Sequence, residues 1–329
     1  MSEVGVIGAG AWGTALAQML ASDGRGVLLW AREADVVGEV NRERSNGEYL
    51  PGTRLHQTIR ATGELAELAG CSIVLAVTPA QHLGKVLAQL PDAPRDLVLC
   101  CKGIEAGSQR LMAEVARAAC PGAEIAVLSG PTFAHEVAQG LPTAVTLACS
   151  GGSAQWERLS AAIARPYFRP YYSEDLTGAE IGGAVKNVLA IACGVVDGLR
   201  LGQNARAALI ARGYAEMLRF GEALGAQRDT LAGLCGLGDL VLTCSSTSSR
   251  NFSLGKALGE GHSAEQLLNN RKTVAEGAFT APVLVEVARG HAVDMPIAEA
   301  VCRLLAGEPA GAIVSGLLAR PLTTEGPSA

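Results

Sequence analysis

Val4 to Ala21 reads VGVIGAGAWGTALAQMLA. Val4 to Ile7 is a short apolar run, Gly8-Ala9-Gly10-Ala11-Trp12-Gly13 follows, and Thr14 to Ala21 has the patterning of a helix. A bare GxGxxG says little. Strand, glycines and helix in this order describe a turn that cradles phosphate. Gly8 permits the tight turn, Gly10 lets a pyrophosphate approach the backbone, and Gly13 lets the helix pack on the strand. The helix start adds unpaired N–H groups and a positive dipole end. A glycine-rich turn with no ligand is the alternative. The flanking strand and helix argue against it and for a dinucleotide.

Outward from this unit, strand-like and helix-like segments alternate. Val27 to Trp30, Ser72 to Val77, Leu97 to Cys101, Ile125 to Leu128, Thr143 to Cys149 and Tyr167 to Tyr172 read as strands. Alternation of this kind implies a largely parallel sheet covered by helices. Ligands then bind beyond the carboxyl ends of the strands. Lys102 and the Gly130-Pro131-Thr132 turn both follow strands at that edge. Lys102 is either a ligand contact or a plain surface lysine. The second strand runs out as Trp30-Ala31-Arg32-Glu33. Arg32 can attract a 2′-phosphate, which favours NADP(H); Glu33 can face a 2′-hydroxyl, which leaves NAD(H) open.

From Thr177 onward strand signals stop. Helices are expected over Ile181–Val196, Arg206–Leu224, Thr230–Leu234, Phe252–Leu258, Ala264–Leu268, Thr280–Arg289 and Ile297–Ala306. The fold class is therefore an α/β domain with a mostly parallel sheet, residues 1–175, followed by an all-α domain, residues 176–329. The first of these helices reads IGGAVKNVLAIACGVV, and Lys186 is its only charged side chain. Such a helix is buried on most sides. It is too short, and its lysine too central, for a membrane span. Gly182, Gly183 and Ala184 admit a close neighbour one turn before Lys186. Burial lowers a lysine pKa and suits the amine to exchange a proton near neutral pH. A structural lysine that pairs with one carboxylate is the alternative.

Two more stretches carry chemistry. Gly236-Leu237-Gly238-Asp239-Leu240 sets one acid among apolar residues. It can tune a nearby lysine, or simply cap a helix over Leu240 to Thr243. Ser248-Ser249-Arg250-Asn251 precedes another helical run. Helix N–H groups beside a guanidinium bind anions, and an ordinary solvated cap reads the same way. A second anion site, apart from the glycine loop, suggests a phosphorylated substrate.

The bulk properties narrow the class. The chain has 329 residues, a net charge of -5 and charged residues at 18%, so it carries no basic field for nucleic acid or acidic lipid. No membrane span is expected. The nine cysteines lie mostly in apolar segments without CxxC spacing, and the five histidines are scattered. Neither a zinc site nor any other metal site is indicated, nor a disulfide framework. Reduced cysteines, and a first strand that leaves no room for a leader, point to the cytoplasm. The tail from Pro321 is polar and is expected to fray.

Taken together the motifs resemble bacterial NAD(P)-dependent sn-glycerol-3-phosphate dehydrogenase. The specific parts are Leu128-Ser129-Gly130-Pro131-Thr132-Phe133-Ala134, Gly182-Gly183-Ala184-Val185-Lys186-Asn187-Val188, the run from Gly236 to Cys244, and Ser249-Arg250-Asn251. The resemblance implies a Rossmann domain and an all-helical domain, often in a homodimer. It implies reversible reduction of dihydroxyacetone phosphate to sn-glycerol 3-phosphate, feeding phospholipid synthesis. Lys186 would donate and accept the proton. Lys102, Asn187, Asp239 and Thr243 would line and polarise the site, with Gly130 and Thr132 touching substrate. Ser249, Arg250 and Asn251 would hold the phosphate. Gly8, Gly10, Ala11, Trp12, Gly13, Arg32, Lys102, Ala134, Arg250, Val274 and Glu276 would contact the cofactor, NADPH in preference to NADH. Cys101 and His135 depart from the family's usual residues without removing a catalytic group. Two other readings stand beside this one: a β-hydroxyacid dehydrogenase of the same plan, and a protein that senses NADP(H) without turnover.

Overall fold

A computed structural model describes residues 4–91, 93, 95–269 and 275–321. Eight strands form one sheet: β1 Val4–Ile7, β2 Val27–Trp30, β3 Ile59–Thr62, β4 Ile73–Ala76, β5 Arg95–Leu99, β6 Ala123–Ser129, β7 Thr143–Cys149 and β8 Phe168–Ser173. Their order is β3-β2-β1-β4-β5-β6-β7-β8. The first six are parallel, and the chain reverses direction across the sheet between β1 and β4. A dinucleotide crevice lies at such a reversal.

Both faces of the sheet are covered, so its strands are apolar throughout rather than alternating. Val4, Val6, Val27 and Leu29 join one layer of core. Ile7, Leu28, Val74 and Leu97 join the other. The expected strands are all present, with ends displaced by one or two residues. β3 was not expected: its alternation, Ile59 and Ala61 buried around an exposed Arg60, is too brief to stand out. The largely parallel sheet also has an antiparallel step, because β6 pairs with β7 in opposite sense while β7 and β8 are parallel. Between β6 and β7 the only helix is Ala134–Ala138, five residues, too short for a parallel crossover.

The helix around Lys186 is longer than its apolar run. It spans Leu176–Gly198, 23 residues, and starts at an N-cap, Asp175, whose side chain accepts from Gly178 N at 2.8 Å. By length and composition it resembles a membrane span, yet the apolar window is 100% buried inside the protein. Helices Gly202–Ala223, Arg250–Gly259 and Glu276–Gly290 surround it and build the core of the second half. Its N-terminal turn packs on the sheet, where Leu176 and Ala179 join the core beneath β4 and β5. Gly182 is where another backbone approaches: a Cβ there would lie 2.3 Å from Cys235 O. A final helix, Ala310–Leu318, was not expected; the tail beyond Pro321 lies outside the described residues.

Candidate active site

The glycine loop has the shape a pyrophosphate needs. Gly8 sits at φ +110, and a Cβ on Gly13 would lie 1.8 Å from Gly8 O, so helix Ala11–Ala21 touches the turn. A Cβ at Gly10 would meet nothing within 4 Å, which leaves the approach open. Ala11 and Trp12 are half-exposed in the first helical turn. Behind the loop the fully buried Asn46 donates to Ala9 O and Thr14 Oγ1, both at 2.8 Å, and holds the turn from the rear. Nothing near Asn46 in the sequence announces this role. Arg32 is exposed at the end of β2 and donates to Glu33 Oε1 at 2.8 Å. Ala134 opens a short helix that packs beside Ala11–Ala21. Val274 lies outside the described residues.

The lysines and the acid meet at the carboxyl end of β5. Asp239 is wholly buried. Its Oδ1 accepts from Lys186 Nζ at 2.6 Å and its Oδ2 from Lys102 Nζ at 2.6 Å. Lys186 Nζ also donates to Thr243 Oγ1 at 3.0 Å, and that hydroxyl donates to Asp239 Oδ1 at 3.2 Å. Asp239 and Thr243 are one turn apart on helix Asp239–Cys244, so both face Lys186. A π-helical turn, Leu234–Gly238, leads into this helix. The acid is therefore the first residue of a short helix and binds two side chains from elsewhere in the fold.

One carboxylate between two ammonium groups is an unequal balance. Burial pushes Lys186 down to about 8; the Asp239 charge opposes the fall and Lys102 adds to it. Burial also pulls Lys102 down, but Asp239, with Glu276 beyond it, outweighs this and holds Lys102 above the usual lysine value. Lys186 is thus the group that can shed a proton near neutral pH while Lys102 stays charged. Glu276 opens helix Glu276–Gly290 and is raised by burial, with Arg250, Lys102 and Lys186 opposing. Cys101, beside Lys102, is pushed well up by burial, so it stays a thiol rather than the reactive thiolate.

The second anion site is a capped helix start. Ser249 Oγ accepts from Phe252 N at 3.2 Å, and Arg250 is exposed as the first residue of helix Arg250–Gly259. Asn251 is buried, and much of its amide is committed to the fold. Its Nδ2 donates to Asn187 Oδ1 at 3.0 Å, and its Oδ1 accepts from Gly277 N at 2.9 Å. That link ties three helices together around the site. Gly130 and Thr132 follow β6; Thr132 is half-buried, and Gly130 O makes a long 3.4 Å contact with Lys102 Nζ. Ser129 and Thr78, at the carboxyl ends of β6 and β4, bury hydroxyls without a partner among the described residues. Both lie on the ligand-facing edge. Their sequence signal was a Ser and a Thr at the exit of predicted strands.

Two family models cover most of the chain. One, described as NAD-dependent glycerol-3-phosphate dehydrogenase N-terminus, matches residues 3–155; its C-terminus counterpart matches residues 175–312. A glycerol-3-phosphate dehydrogenase (NAD(P)+) from Erythrobacter litoralis is 72% identical over 98% of this chain and 98% of its own. The chain belongs to the NAD-dependent glycerol-3-phosphate dehydrogenase family. A relative of the same description from Novosphingobium aromaticivorans is 71% identical, over 99% of this chain and 98% of its own. The crystal structure of glycerol-3-phosphate dehydrogenase from Coxiella burnetii superposes with a TM-score of 0.92 at 40% identity, covering 97% of this chain and 99% of that one. A D-mandelate dehydrogenase shares the fold alone, at TM-score 0.64 and 14% identity, covering 95% of this chain and 99% of that one. In this chain Lys102 and the glycine loop follow strands at the carboxyl edge of the sheet, and Asp239 and Lys186 reach Lys102 from the helical half.

Proposed function

We propose that this glycerol-3-phosphate dehydrogenase reduces dihydroxyacetone phosphate to sn-glycerol 3-phosphate with Lys186 as the proton donor, and accepts the proton back in the reverse direction. The observation that carries the reading is the Lys102–Asp239–Lys186 bridge, with both ion pairs at 2.6 Å at the carboxyl end of β5. Bound NAD(P)H supplies the hydride. As it is delivered, negative charge grows on the carbonyl oxygen. Lys102, held charged by Asp239, stabilises that charge. Lys186, poised near 8, delivers the proton. Asp239 and Thr243 hold the Lys186 amine in place, and Asn187, Gly130 and Thr132 border the substrate. Ser249, Arg250 and Asn251 receive its phosphate. Arg32 takes the 2′-phosphate of NADPH, released from Glu33, and makes NADPH the preferred coenzyme. We divide the chain into a coenzyme domain, 1–175, and a substrate domain, 176–329. We place the enzyme in the cytoplasm as a homodimer, with its product supplied to phospholipid synthesis.

The test is the pH dependence of kcat in the reducing direction. An acid with its pKa near 8 predicts that kcat is highest below that pH and falls tenfold per unit above it. A rate that stays level through that region would remove Lys186 as the acid.

A further inference from the structure

Helix Met112–Ala119 begins without a cap of its own. Its N-cap position is Leu111, whose side chain cannot accept a hydrogen bond. Glu114 covers one orphan donor by accepting from Leu111 N at 3.0 Å. The deeper donor, Ala113 N, is covered from another part of the fold: Glu180 Oε1, on the central helix, accepts from it at 2.7 Å. Glu180 is 6% exposed, so this bond is largely buried. The Met112 N–H and Arg117 also favour its anion, Glu114 disfavours it, and burial outweighs them. A cavity of about 610 Å³ lies alongside, lined by Glu180, Glu114, Arg117 and Glu174.

The position of Glu180 in the chain gives this bond a consequence. Lys186 follows six residues later on the same rigid helix, roughly 9 Å along its axis. The coenzyme loop and Lys102 belong to the sheet, and helix Met112–Ala119 packs on that same sheet. Lys186 and Asp239 belong to the helical half. A proton donor on one half must therefore meet a hydride donor held on the other. A displacement of about 1 Å between them is enough to cost on the order of 10²-fold in rate. A buried hydrogen bond to a fixed N–H adds a directional constraint along the helix axis to the close packing and polar links that hold the helix.

We propose that Glu180 is a positioning residue for the reaction: by closing the uncapped start of helix Met112–Ala119 it fixes the axial register of the central helix, and so of Lys186, against the coenzyme-binding sheet. The proposal rests on the reading of Lys186 as the proton donor. Neither a motif nor the site lining marks Glu180, because its partner is a backbone N–H 67 residues away.

The experiment uses the full-length enzyme. Glu180→Ala is expected to lower kcat by about tenfold or more while the KM for coenzyme changes less than about twofold. Glu180→Gln keeps an acceptor oxygen and is expected to restore kcat to within about threefold of wild type. The deciding variant adds Leu111→Ser to Glu180→Ala. It supplies a Ser-x-x-Glu capping box within helix Met112–Ala119 but no link to the central helix. Because Leu111 packs on the core of the helical half, this double variant is compared with Leu111→Ser alone, and we expect it to match that variant's melting temperature and not its kcat. Recovery of kcat together with the melting temperature, or wild-type kcat in Glu180→Ala, overturns the proposal and leaves Glu180 as a cap. If Glu180→Ala does not fold, Glu180→Asp carries the same test. One methylene shorter, it must lower kcat in folded protein if register matters, and wild-type kcat there overturns the proposal. Lys186→Ala is measured in parallel. Loss of turnover there with wild-type rates in the Glu180 variants defeats only this inference; retained turnover in Lys186→Ala defeats the proton-donor reading itself.

Discussion

Replacing Asp239 by Asn keeps the shape, removes one charge and puts an NH2 donor where one of the two accepting oxygens faced an ammonium group. That charge is wholly buried and lies 2.6 Å from each of two ammonium groups. Breaking a buried ion pair by removing one partner costs about 3–5 kcal/mol, because the other charge stays buried. Here one of the two lysines can relieve the cost by shedding a proton, so we expect about 3 kcal/mol. The same argument gives the kinetic effect. Lys186 stands near 8 with Asp239 opposing its fall. Removing an opposite charge at this range lowers an amine pKa by about 1–3, so without Asp239 Lys186 falls to neutrality or below. Reduction needs the protonated lysine. The falling limb of kcat against pH should therefore move to lower pH by at least about one unit, with turnover at neutral pH lower by about twofold for one unit and about tenfold for two. Stability has the opposite slope. The folded pKa of Lys186 lies below the unfolded 10.5, so the folded enzyme binds fewer protons and gains stability as pH rises from about 8 to 10.5. In Asp239→Asn that gain begins at lower pH. Initial rates with saturating dihydroxyacetone phosphate and NADPH, beside thermal melts over the same pH series, read both effects. A folded Asp239→Asn enzyme whose limb stays at the wild-type pH would refute the charge coupling.

Three further outcomes are expected. Arg250→Ala should raise the KM for dihydroxyacetone phosphate by at least about tenfold with a smaller change in kcat, since charged hydrogen bonds contribute about 1.5–3 kcal/mol; an unchanged KM places the phosphate elsewhere. Arg32→Ala should lower kcat/KM for NADPH several-fold and leave NADH nearly unaffected, a modest effect because the guanidinium is exposed and already paired with Glu33; equal losses with both coenzymes contradict the 2′-phosphate role. Glu216 is pushed up to about 7 by burial, although it accepts from Ile297 N and Ala298 N. Its folded pKa exceeds the unfolded 4.5, so its contribution to stability is lost progressively as pH rises from 4.5 to about 7. Glu216→Gln should flatten the melting temperature over that window, and an unchanged slope would show that Glu216 does not titrate there.

Much of this architecture is written in local pattern. The glycine loop is legible because each glycine has its own reason, and the strands because both faces of the sheet are buried and leave uniform apolar runs. The direction of β7 is not legible: periodicity is blind to strand sense, and only the shortness of the Ala134–Ala138 helix hints at it. β3 escapes because four residues with an arginine among them carry little pattern. At the site, Lys186 announces itself as the sole charge in the apolar run from Ile181 to Val196 and Asp239 as an acid among apolar residues. Their meeting is nonlocal, across 53 residues for one lysine and 137 for the other, and no spacing rule reaches that far. Asn46 and Glu180 are harder still, since their partners include backbone groups whose positions exist only after folding.

The measurement that bears most directly on the account is turnover by Lys186→Ala, with coenzyme binding measured on the same preparation. The account predicts a kcat for dihydroxyacetone phosphate reduction lower by about 10²-fold or more, with NADPH affinity close to wild type. Near-normal turnover in that variant would contradict it and move the proton to another group at the sheet edge.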